Sequence, residues 1–198
     1  MTLDDAAVER LVKSARAGDA SAFGGLFDHY HLPVYRYVSS RVRRPSDAED
    51  LTQVIFVKAL EALPRYESRG IPFGGWLFRL ARNAVIDFVR TSHEHADLAQ
   101  SVDRAGTDAG PEELAVTRQE IEAVGVAMAA LTDDQRDAIT LRFLAGLSAR
   151  EAAEAMGKQE GTVRGLQFRA IAALRRQLGI EEPDLTTAPA HFEQPRIS

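Results

Sequence analysis

The chain of 198 residues contains no cysteine, and this absence excludes several kinds of protein. Neither a disulfide framework nor a thiolate metal site can form without it. No segment approaches the roughly 18 consecutive apolar residues of a membrane span. The N-terminal stretch MTLDDAAVERLVKSARAGD is charged throughout, unlike a secretory signal. We therefore expect a soluble, cytoplasmic protein with no direct membrane insertion.

Catalytic patterns are equally scarce. The sequence shows no Ser-His-Asp set, no phosphate-binding glycine loop and no cluster with the spacing of metal ligands. His93 and His95 fall in a polar segment, where a solvated side chain is a more ordinary interpretation than a ligand. We expect no enzymatic activity, no cofactor and no metal.

The net charge of −5 argues against a nucleic-acid partner until its distribution is considered. The two longer segments are mildly basic and the two shorter ones acidic: residues 1–90 carry +2, 91–122 carry −6, 123–180 carry +2 and 181–198 carry −3. The acidic segments are polar and contain glycine or proline, which indicates a flexible linker and a disordered tail. The predicted organisation is a domain at 1–91, a linker at 92–118, a domain at 119–180 and a tail at 181–198.

The C-terminal domain contains two helix-start patterns of the same kind. Thr132 with Gln135, and Ser148 with Glu151, have the spacing of a capping box, in which side chain and backbone satisfy each other reciprocally. Gly146 can end the first helix. Turn chemistry then predicts a short helix from Ser148 to Met156, a sharp turn at Gly157 and a longer helix from about Glu160 to Leu178. This is the pattern of a helix-turn-helix.

The longer helix has two different faces. Apolar residues recur at steps of three and four and predict a buried stripe of Val163, Leu166, Ala170, Leu174 and Leu178. The remaining positions offer cations, amides and one aromatic ring to solvent: Thr162, Arg164, Gln167, Phe168, Arg169, Arg175 and Arg176. Such a face suits a DNA major groove. A three-helix bundle whose last helix is merely basic is the alternative.

The N-terminal half also predicts helices. Ala20 to Arg43 is helical by pattern, and Pro33 predicts a kink or a break near Leu32. Ser46 and Glu49 have capping-box spacing and predict a helix from Ser46 to Leu63. Its buried stripe is expected to contain Leu51, Val54, Ile55, Lys58 and Leu63. The polar residues of its first turns are Asp47, Glu49, Asp50 and Gln53; the helix dipole explains the acids, but they could also dock a basic partner.

A loop and a further helix follow, from Pro64 to Thr91. Prolines and Gly70 indicate the loop, and the helix is expected to begin at about Phe73. Its predicted core stripe is Trp76, Leu77, Leu80, Ala81, Ala84, Val85 and Phe88. The polar residues of this helix that lie outside the stripe are available for other surfaces: Arg79, Arg82, Asn83 and Arg90. Aromatics interleaved with arginines suit single-stranded DNA, although ordinary core packing is the better interpretation of Trp76. No segment reads as a strand, so the expected fold class is all-α.

Taken together, the two halves resemble the extracytoplasmic-function group of bacterial sigma-70 factors. Region 2 of that family resembles DAEDLTQVIFVKA followed by FGGWLFRLARNAVIDFVR. Region 4 resembles LTDDQRDAITLRFLAGLSAREAAEAMGKQEGTVRGLQFRAIAAL. The resemblance implies two helical domains joined by a flexible linker. It also implies a transcription initiation factor that recognises a minus-35 duplex and a melted minus-10 strand.

The resemblance also implies roles for particular residues. Core RNA polymerase, through the clamp helices of its β′ subunit, would be bound by Asp47, Asp50, Leu51, Gln53 and Phe56. Minus-10 DNA would be contacted by Tyr66, Arg79, Arg82 and Asn83, with the loop from Tyr66 to Phe73 shaping a pocket for a flipped base. Minus-35 DNA would be contacted by Thr162, Arg164, Gln167, Phe168 and Arg169. An anti-sigma protein is a further partner that the family implies.

The sequence departs from the family pattern beside the DNA-reading helix. Lys158 and Gln159 replace a hydrophobic residue and a small polar cap, and Gly165-Leu166 replaces a common Ser-Arg pair. The minus-35 preference of other members therefore does not transfer. Two alternatives remain open on sequence alone. One is a DNA-binding regulator that acts without core polymerase and carries an N-terminal sensor or dimerisation bundle; the other is a sigma-mimicking adaptor that binds only protein.

Overall fold

The computed structural model describes residues 3–68, 70–96 and 123–180, the last four residues before position 97 by backbone alone. These residues contain helices and turns and no strand, as the sequence predicts. The N-terminal region (the described residues up to 96) contains four helices: α1 (Asp5–Arg16), α2 (Ala20–Ser39), α3 (Pro45–Ala62) and α4 (Phe73–Ala96), with a 3₁₀ turn at Leu63–Arg65.

The C-terminal region (residues 123–180) is also helical. Residues 123–129 form a helical segment. It is followed by α5 (Asp133–Ile139), which continues as a π-helical turn (Thr140–Leu144), and then by α6 (Ala149–Met156) and α7 (Glu160–Leu178). Helices α6 and α7 are the two helices of the predicted helix-turn-helix, and both have the predicted bounds to within one residue.

The two capping boxes of the C-terminal region are confirmed. Thr132 accepts from the backbone N–H of Gln135, and the Gln135 side chain accepts from the backbone of Thr132. Ser148 and Glu151 make the same reciprocal pair at the start of α6. Gly157 ends α6 in the left-handed conformation, at φ 63°, which a side chain would disfavour.

The capping box predicted at Ser46 and the break predicted near Pro33 are wrong, while a kink near Pro33 stays a prediction. The capping box at Ser46 does not form, because α3 begins one residue earlier with Pro45 at its first position and no side-chain cap. Proline suits that position, since its fixed φ is already helical and its missing N–H would be unpaired anyway. Pro33 does not break α2, which is continuous from Ala20 to Ser39. Leu26 and Val34, on either side of it, are both buried and hold the helix against the core.

The core of the N-terminal region is built from large side chains. Tyr37 and Phe78 are fully buried with their ring centroids 6.0 Å apart in an edge-to-face pair. Phe78 was absent from the predicted stripe of α4, and Trp76, Leu80 and Phe88 from that stripe are only partly buried. The predicted stripe of α3 also needs correction: Val54 is 44% exposed and Lys58 is exposed, while Phe56 and Ala59 are buried.

The core of the C-terminal region is built mainly from small side chains and is continuous with that of the N-terminal region. Ala138, Leu141, Ala152, Ala153, Met156 and Val163 belong to one packed cluster with the N-terminal core residues. Helix α6 lies against α4. A separate small cluster forms on the far side of the C-terminal region around Leu131, Ile139 and Ala170. Alanines on α6 allow α4 and α7 to approach it closely.

The predicted linker is only partly within the described residues. Helix α4 continues through Ala96, so the first residues of that segment, including His93 and His95, have helical backbone. The sequence lacked a helix-ending residue there, which is consistent with the longer helix. Residues 97–122 and 181–198, with the acidic linker and the tail, lie outside the described residues.

Candidate nucleic-acid interfaces

The first candidate surface is the outer face of α7. Val163 and Ala170 are fully buried and Leu166 nearly so, which turns the intervening positions outward. Thr162, Arg164 and Arg169 are exposed, and Phe168 is 74% exposed. A phenylalanine that exposed on a well-formed helix has no packing role in the described residues. The outer face therefore carries two guanidinium groups beside one solvent-facing ring.

Two side chains on this face are held by neighbours. Arg164 makes a two-point contact with Oε1 of Glu160, one turn earlier, with distances of 2.6 and 3.0 Å. Gln167 is half-buried and its Oε1 accepts from Nε of Arg142, at 3.2 Å. Because arginine only donates, the amide oxygen of Gln167 makes this contact. A groove of about 560 Å³ runs beside α7 between these residues and the start of α6.

Arg136, on the neighbouring helix α5, has a structural role. Its guanidinium donates to the carbonyls of Met128, Ala129 and Leu131, at 3.0 to 3.2 Å. The carbonyls of Met128 and Ala129 belong to the last turn of the helical segment at 123–129, where they have no partner within the helix. Arg136 lies outside α7, which would suggest it as a neutral control for DNA-binding tests. Its structural role makes it a poor one. Arg176, exposed near the end of α7, is a better one.

The second candidate surface is on α4 and the loop before it. Asn83 is exposed. Arg79 and Arg82 point toward the C-terminal region: Nη1 of Arg79 lies 3.2 Å from Oε1 of Glu154, and Nε of Arg82 lies 2.8 Å from Oδ2 of Asp137. The structure thus brings the three predicted DNA-contacting residues of α4 to one side of the helix. Two of the three are already paired with carboxylates.

The loop residue Tyr66 is buried. Its hydroxyl donates to the carbonyl of Ile71, at 2.8 Å, and its ring packs on Phe73 and Trp76 with centroids 5.7 and 4.8 Å away. Burial raises the pKa of the Tyr66 phenol, which therefore stays a donor. In this structure Tyr66 shapes the loop from inside, and the ring is not presented to solvent.

The third candidate surface is on α3. Asp50 and Gln53 are exposed, and Asp47 pairs with Arg44, at 3.0 Å. Leu51 and Phe56 are buried at 8% and 5% exposure, so they support the helix from beneath. The sequence analysis missed an exposed apolar row on this helix, formed by Val54, Val57 and Leu60 at 44%, 55% and 51% exposure. Their spacing of three residues is the pattern that could have revealed it.

Of the carboxylates that pair across the two regions, that of Asp137 is the most buried. It is 1% exposed and receives three groups from the N-terminal region: the hydroxyl of Tyr37 at 3.2 Å, Nη1 of Arg41 at 3.3 Å and Nε of Arg82 at 2.8 Å. The Arg41 contact is an ion pair without hydrogen-bond alignment. Burial, followed by the charge of Asp137, raises the pKa of Tyr37, so the phenol remains protonated and donates.

Two glycines at the start of α4, Gly74 and Gly75, allow α6 to pack directly against that helix. A Cβ atom added at Gly75 would lie 3.1 Å from Cβ of Glu154 and 3.3 Å from the carbonyl oxygen of Glu151. One added at Gly74 would lie 2.6 Å from Oε1 of Glu151. Nearby, the Arg150 guanidinium donates to the carbonyl of Gly70. Backbone and side chains are in direct contact here.

Within the part of the chain that the structure describes, no group of three or more acidic, histidine or cysteine side chains is arranged to hold a metal ion. In the same residues no helix has both the length and the hydropathy for crossing a bilayer.

Comparisons with known proteins identify both halves. The family model of sigma-70 region 2 matches residues 26–95, and that of sigma-70 region 4 matches residues 127–176. The chain is 38% identical over 177 residues to the ECF RNA polymerase sigma factor BldN of Streptomyces coelicolor, covering 88% of this chain and 67% of that protein. It is 36% identical over 175 residues to the ECF sigma factor ShbA of Streptomyces griseus, covering 83% and 92% respectively.

The chain belongs to the ECF RNA polymerase sigma factors. This sigma factor binds core RNA polymerase and directs it to promoters, and its helical fold is that of sigma regions 2 and 4. Among solved structures it resembles CnrH, determined in complex with the cytosolic domain of CnrY, at 27% identity and a TM-score of 0.68, covering 89% of this chain and 99% of that one. The likeness to an RpoE–NepR complex from Bartonella quintana, at 24% identity and a TM-score of 0.63, concerns the fold alone.

Proposed function

We propose that three separate surfaces divide the work of this sigma factor. The outer face of α7 reads the minus-35 duplex, the Asn83 side of α4 with its preceding loop captures the melted minus-10 strand, and α3 binds the polymerase. The observation that carries this division is the exposed face of α7, where Arg164, Phe168 and Arg169 face solvent. A DNA major groove is wide enough to admit such a helix. The protein has no catalytic role of its own and acts in the cytoplasm.

For polymerase binding, the exposed residues of α3 carry the contact. Asp50 and Gln53 supply charge and hydrogen bonds, and the apolar row beginning at Val54 supplies area that loses water on docking. Leu51 and Phe56 act from beneath by fixing the helix in the core. The partner surface is the clamp-helix pair of the β′ subunit. A surface with an apolar centre and a basic rim would complement the exposed residues of α3.

For the minus-10 strand, Asn83 offers both a donor and an acceptor to an unpaired base edge. Arg79 and Arg82, on the same side of α4, offer charge to phosphates. Tyr66, Phe73 and Trp76 pack together under the loop and keep its shape. The base-binding pocket would then be lined by loop backbone above this aromatic cluster.

An anti-sigma protein is the partner proposed beyond polymerase and DNA. Its support is the likeness in fold and sequence to CnrH, whose structure contains the cytosolic domain of CnrY. The exposed apolar side chains of Val54, Val57 and Leu60 mark one surface that such a partner would cover, in competition with polymerase.

The division of surfaces is tested by two substitutions that should fail at different steps. Asn83→Ala removes an exposed amide and should reduce promoter opening by about tenfold or more, since one base-edge contact contributes roughly 1–3 kcal/mol, while leaving core binding intact. Asp50→Arg should weaken core binding first. Potassium permanganate footprinting measures opening, and retention of the chain on immobilised core measures binding.

The matched control is Glu61→Arg, the same kind of charge reversal at another exposed position near the end of α3. It should reduce core binding less than Asp50→Arg. Loss of the same step by Asn83→Ala and Asp50→Arg would refute the separation of the two surfaces.

A further inference from the structure

We propose that Arg142 sets one base preference of this sigma factor by holding the side-chain oxygen of Gln167, so that Gln167 presents donors to the minus-35 duplex and favours guanine over adenine. The inference rests on the proposed assignment of α7 to minus-35 DNA and deepens it by naming a specificity-determining pair. Arg142 lies outside α7, in the π-helical turn that follows α5. It acts through Gln167 and is therefore a positioning residue.

The first support is that Arg142 is anchored on the backbone of the turn before α6. Its Nη1 donates to the carbonyl of Leu147, a residue that is 4% exposed and whose own N–H donates to the carbonyl of Leu141, at 3.0 Å. The Arg142 side chain is itself half-buried. Its π-helical turn is a rare conformation that is frequent at functional sites. The fold thus holds the guanidinium before DNA is bound, and any group that the guanidinium contacts is preorganised.

The second support is the contact that the anchored guanidinium makes with Gln167. Nε of Arg142 donates to Oε1 of Gln167, at 3.2 Å. Gln167 lies three residues after Arg164 and about 60° away around the axis of α7, so it is a surface neighbour of the proposed base reader. All three side chains line the same groove of about 560 Å³. Among the described residues the Gln167 side chain makes no other hydrogen bond, so its amide N–H₂ group is free to donate.

The occupied oxygen decides which base edge Gln167 recognises. A free glutamine pairs with adenine through two hydrogen bonds, its oxygen accepting from N6 and its amide donating to N7. Here that oxygen already accepts from a cation, so the N6 amino group of adenine would approach a partly used acceptor beside a positive charge. Guanine presents two acceptors, O6 and N7, in the major groove, and thymine presents one acceptor beside a methyl group. The free N–H₂ group and the adjacent charge therefore both favour guanine.

The experiment selects minus-35 duplexes with the full chain bound to core polymerase. The library is a promoter that the wild type transcribes, randomised across the minus-35 element, and sequencing of the bound duplexes gives the ratio of guanine to adenine at each position. Arg142→Met removes the donors and keeps an apolar stem, and Gln167→Met removes the amide while leaving the bond from Arg142 to Leu147 in place. Arg142→Lys is the conservative variant, since lysine keeps a charge and a donor. The matched control is Arg176→Met, the same change at an exposed cation of α7.

We expect the wild type to favour guanine over adenine by about tenfold at one position, in the lower part of the range for a specific base contact. Arg142→Met should bring that ratio to about one or below, because the released amide pairs with adenine, and should leave the ratios at other positions unchanged. Gln167→Met should remove the preference at the same position, and adding Arg142→Met to it should not change that ratio further. Arg142→Lys should keep part of the preference, and Arg176→Met should keep all of it.

A uniform loss of affinity in Arg142→Met, with every base ratio unchanged, would mean that Arg142 only holds the turn, and the inference would be overturned. It is equally overturned if Gln167→Met leaves every ratio unchanged, a test that stands even where Arg142→Met does not fold. Arg164→Ala distinguishes these outcomes from a failure of the proposed function, because it should relax the preference at a different position. If Arg164→Ala also leaves every ratio unchanged, α7 does not read minus-35 DNA and the inference fails with that assignment.

Discussion

Helices α4 and α7 are the two proposed DNA-contacting helices of this sigma factor, and they differ in accessibility. The outer face of α7 is open, with Phe168 at 74% exposure and Arg169 exposed. On α4, Arg79 and Arg82 are paired with carboxylates of the C-terminal region. A basic DNA-binding face without DNA needs another source of negative charge or remains solvated. Here α4 obtains that charge from within the chain, and α7 takes only a local pair between Arg164 and Glu160.

The two regions also differ in how their cores are built. Large side chains such as Tyr37, Phe78 and Ile55 fill the N-terminal region. The side of the C-terminal region that faces it relies on alanines of α5 and α6, which bury little area each but permit close approach. Part of the C-terminal core is therefore completed by the contact between the regions.

The largest expected effect in this comparison comes from replacing phenylalanine by alanine at two positions, one buried and one exposed. Phe78→Ala empties a fully buried site and should lower the free energy of unfolding of the N-terminal region by about 3–5 kcal/mol. Phe168→Ala, at a 74% exposed site, should change the free energy of unfolding by less than about 0.5 kcal/mol. Urea denaturation followed by circular dichroism measures both. A comparable loss from the two would mean that Phe168 has a packing role which the described residues do not show.

A smaller effect separates the two arginines of α7. They are five residues apart and so lie about 140° apart around the axis, and Arg164 is aligned by Glu160. Arg164→Ala should cost about 1–3 kcal/mol of promoter binding by the polymerase-bound protein and relax the preference at one base pair. Arg169→Ala should weaken binding to all sequences evenly and lower the salt slope by about one. Salt-dependent affinities on variant minus-35 duplexes make the measurement.

The control for that series is Arg176→Ala, which removes an exposed cation of the same solvent face, two turns after Arg169 and outside the residues that we expect to contact minus-35 DNA; it should change little. If Arg164→Ala and Arg169→Ala change neither affinity nor base preference relative to Arg176→Ala, α7 is not the reading helix.

Local features of the fold were predictable from the sequence, and contacts between distant residues were not. The capping boxes at Thr132 and Ser148 and the turn at Gly157 depend on three or four neighbouring residues, so spacing alone identified them. The same spacing at Ser46 misled, because the adjacent Pro45 starts the helix instead. Local rules compete, and a proline at the first helical position prevailed over a side-chain cap.

The candidate sites show the same division. The exposed face of α7 followed from its apolar stripe, since burying Val163 and Ala170 leaves Arg164 and Arg169 outside. The pairing of Arg82 with Asp137 joins residues 55 positions apart, and no periodicity marks either as a partner of the other. In sequence, Asp137 is simply one of three acids on a short helix. Only the packing of α5 against α2 and α4 gives it a role.

The measurement that tests the account most directly is the distance between the two regions in the wild-type background, with a fluorescent donor–acceptor pair at Ser14→Cys and Gln177→Cys, recorded with and without core polymerase. We predict a short distance in the free chain, as the buried carboxylate of Asp137 requires, and a longer one when core polymerase is bound. The same distance in both states would contradict the proposal that Arg79 and Arg82, which are paired with C-terminal carboxylates in the free chain, contact DNA phosphates on the polymerase.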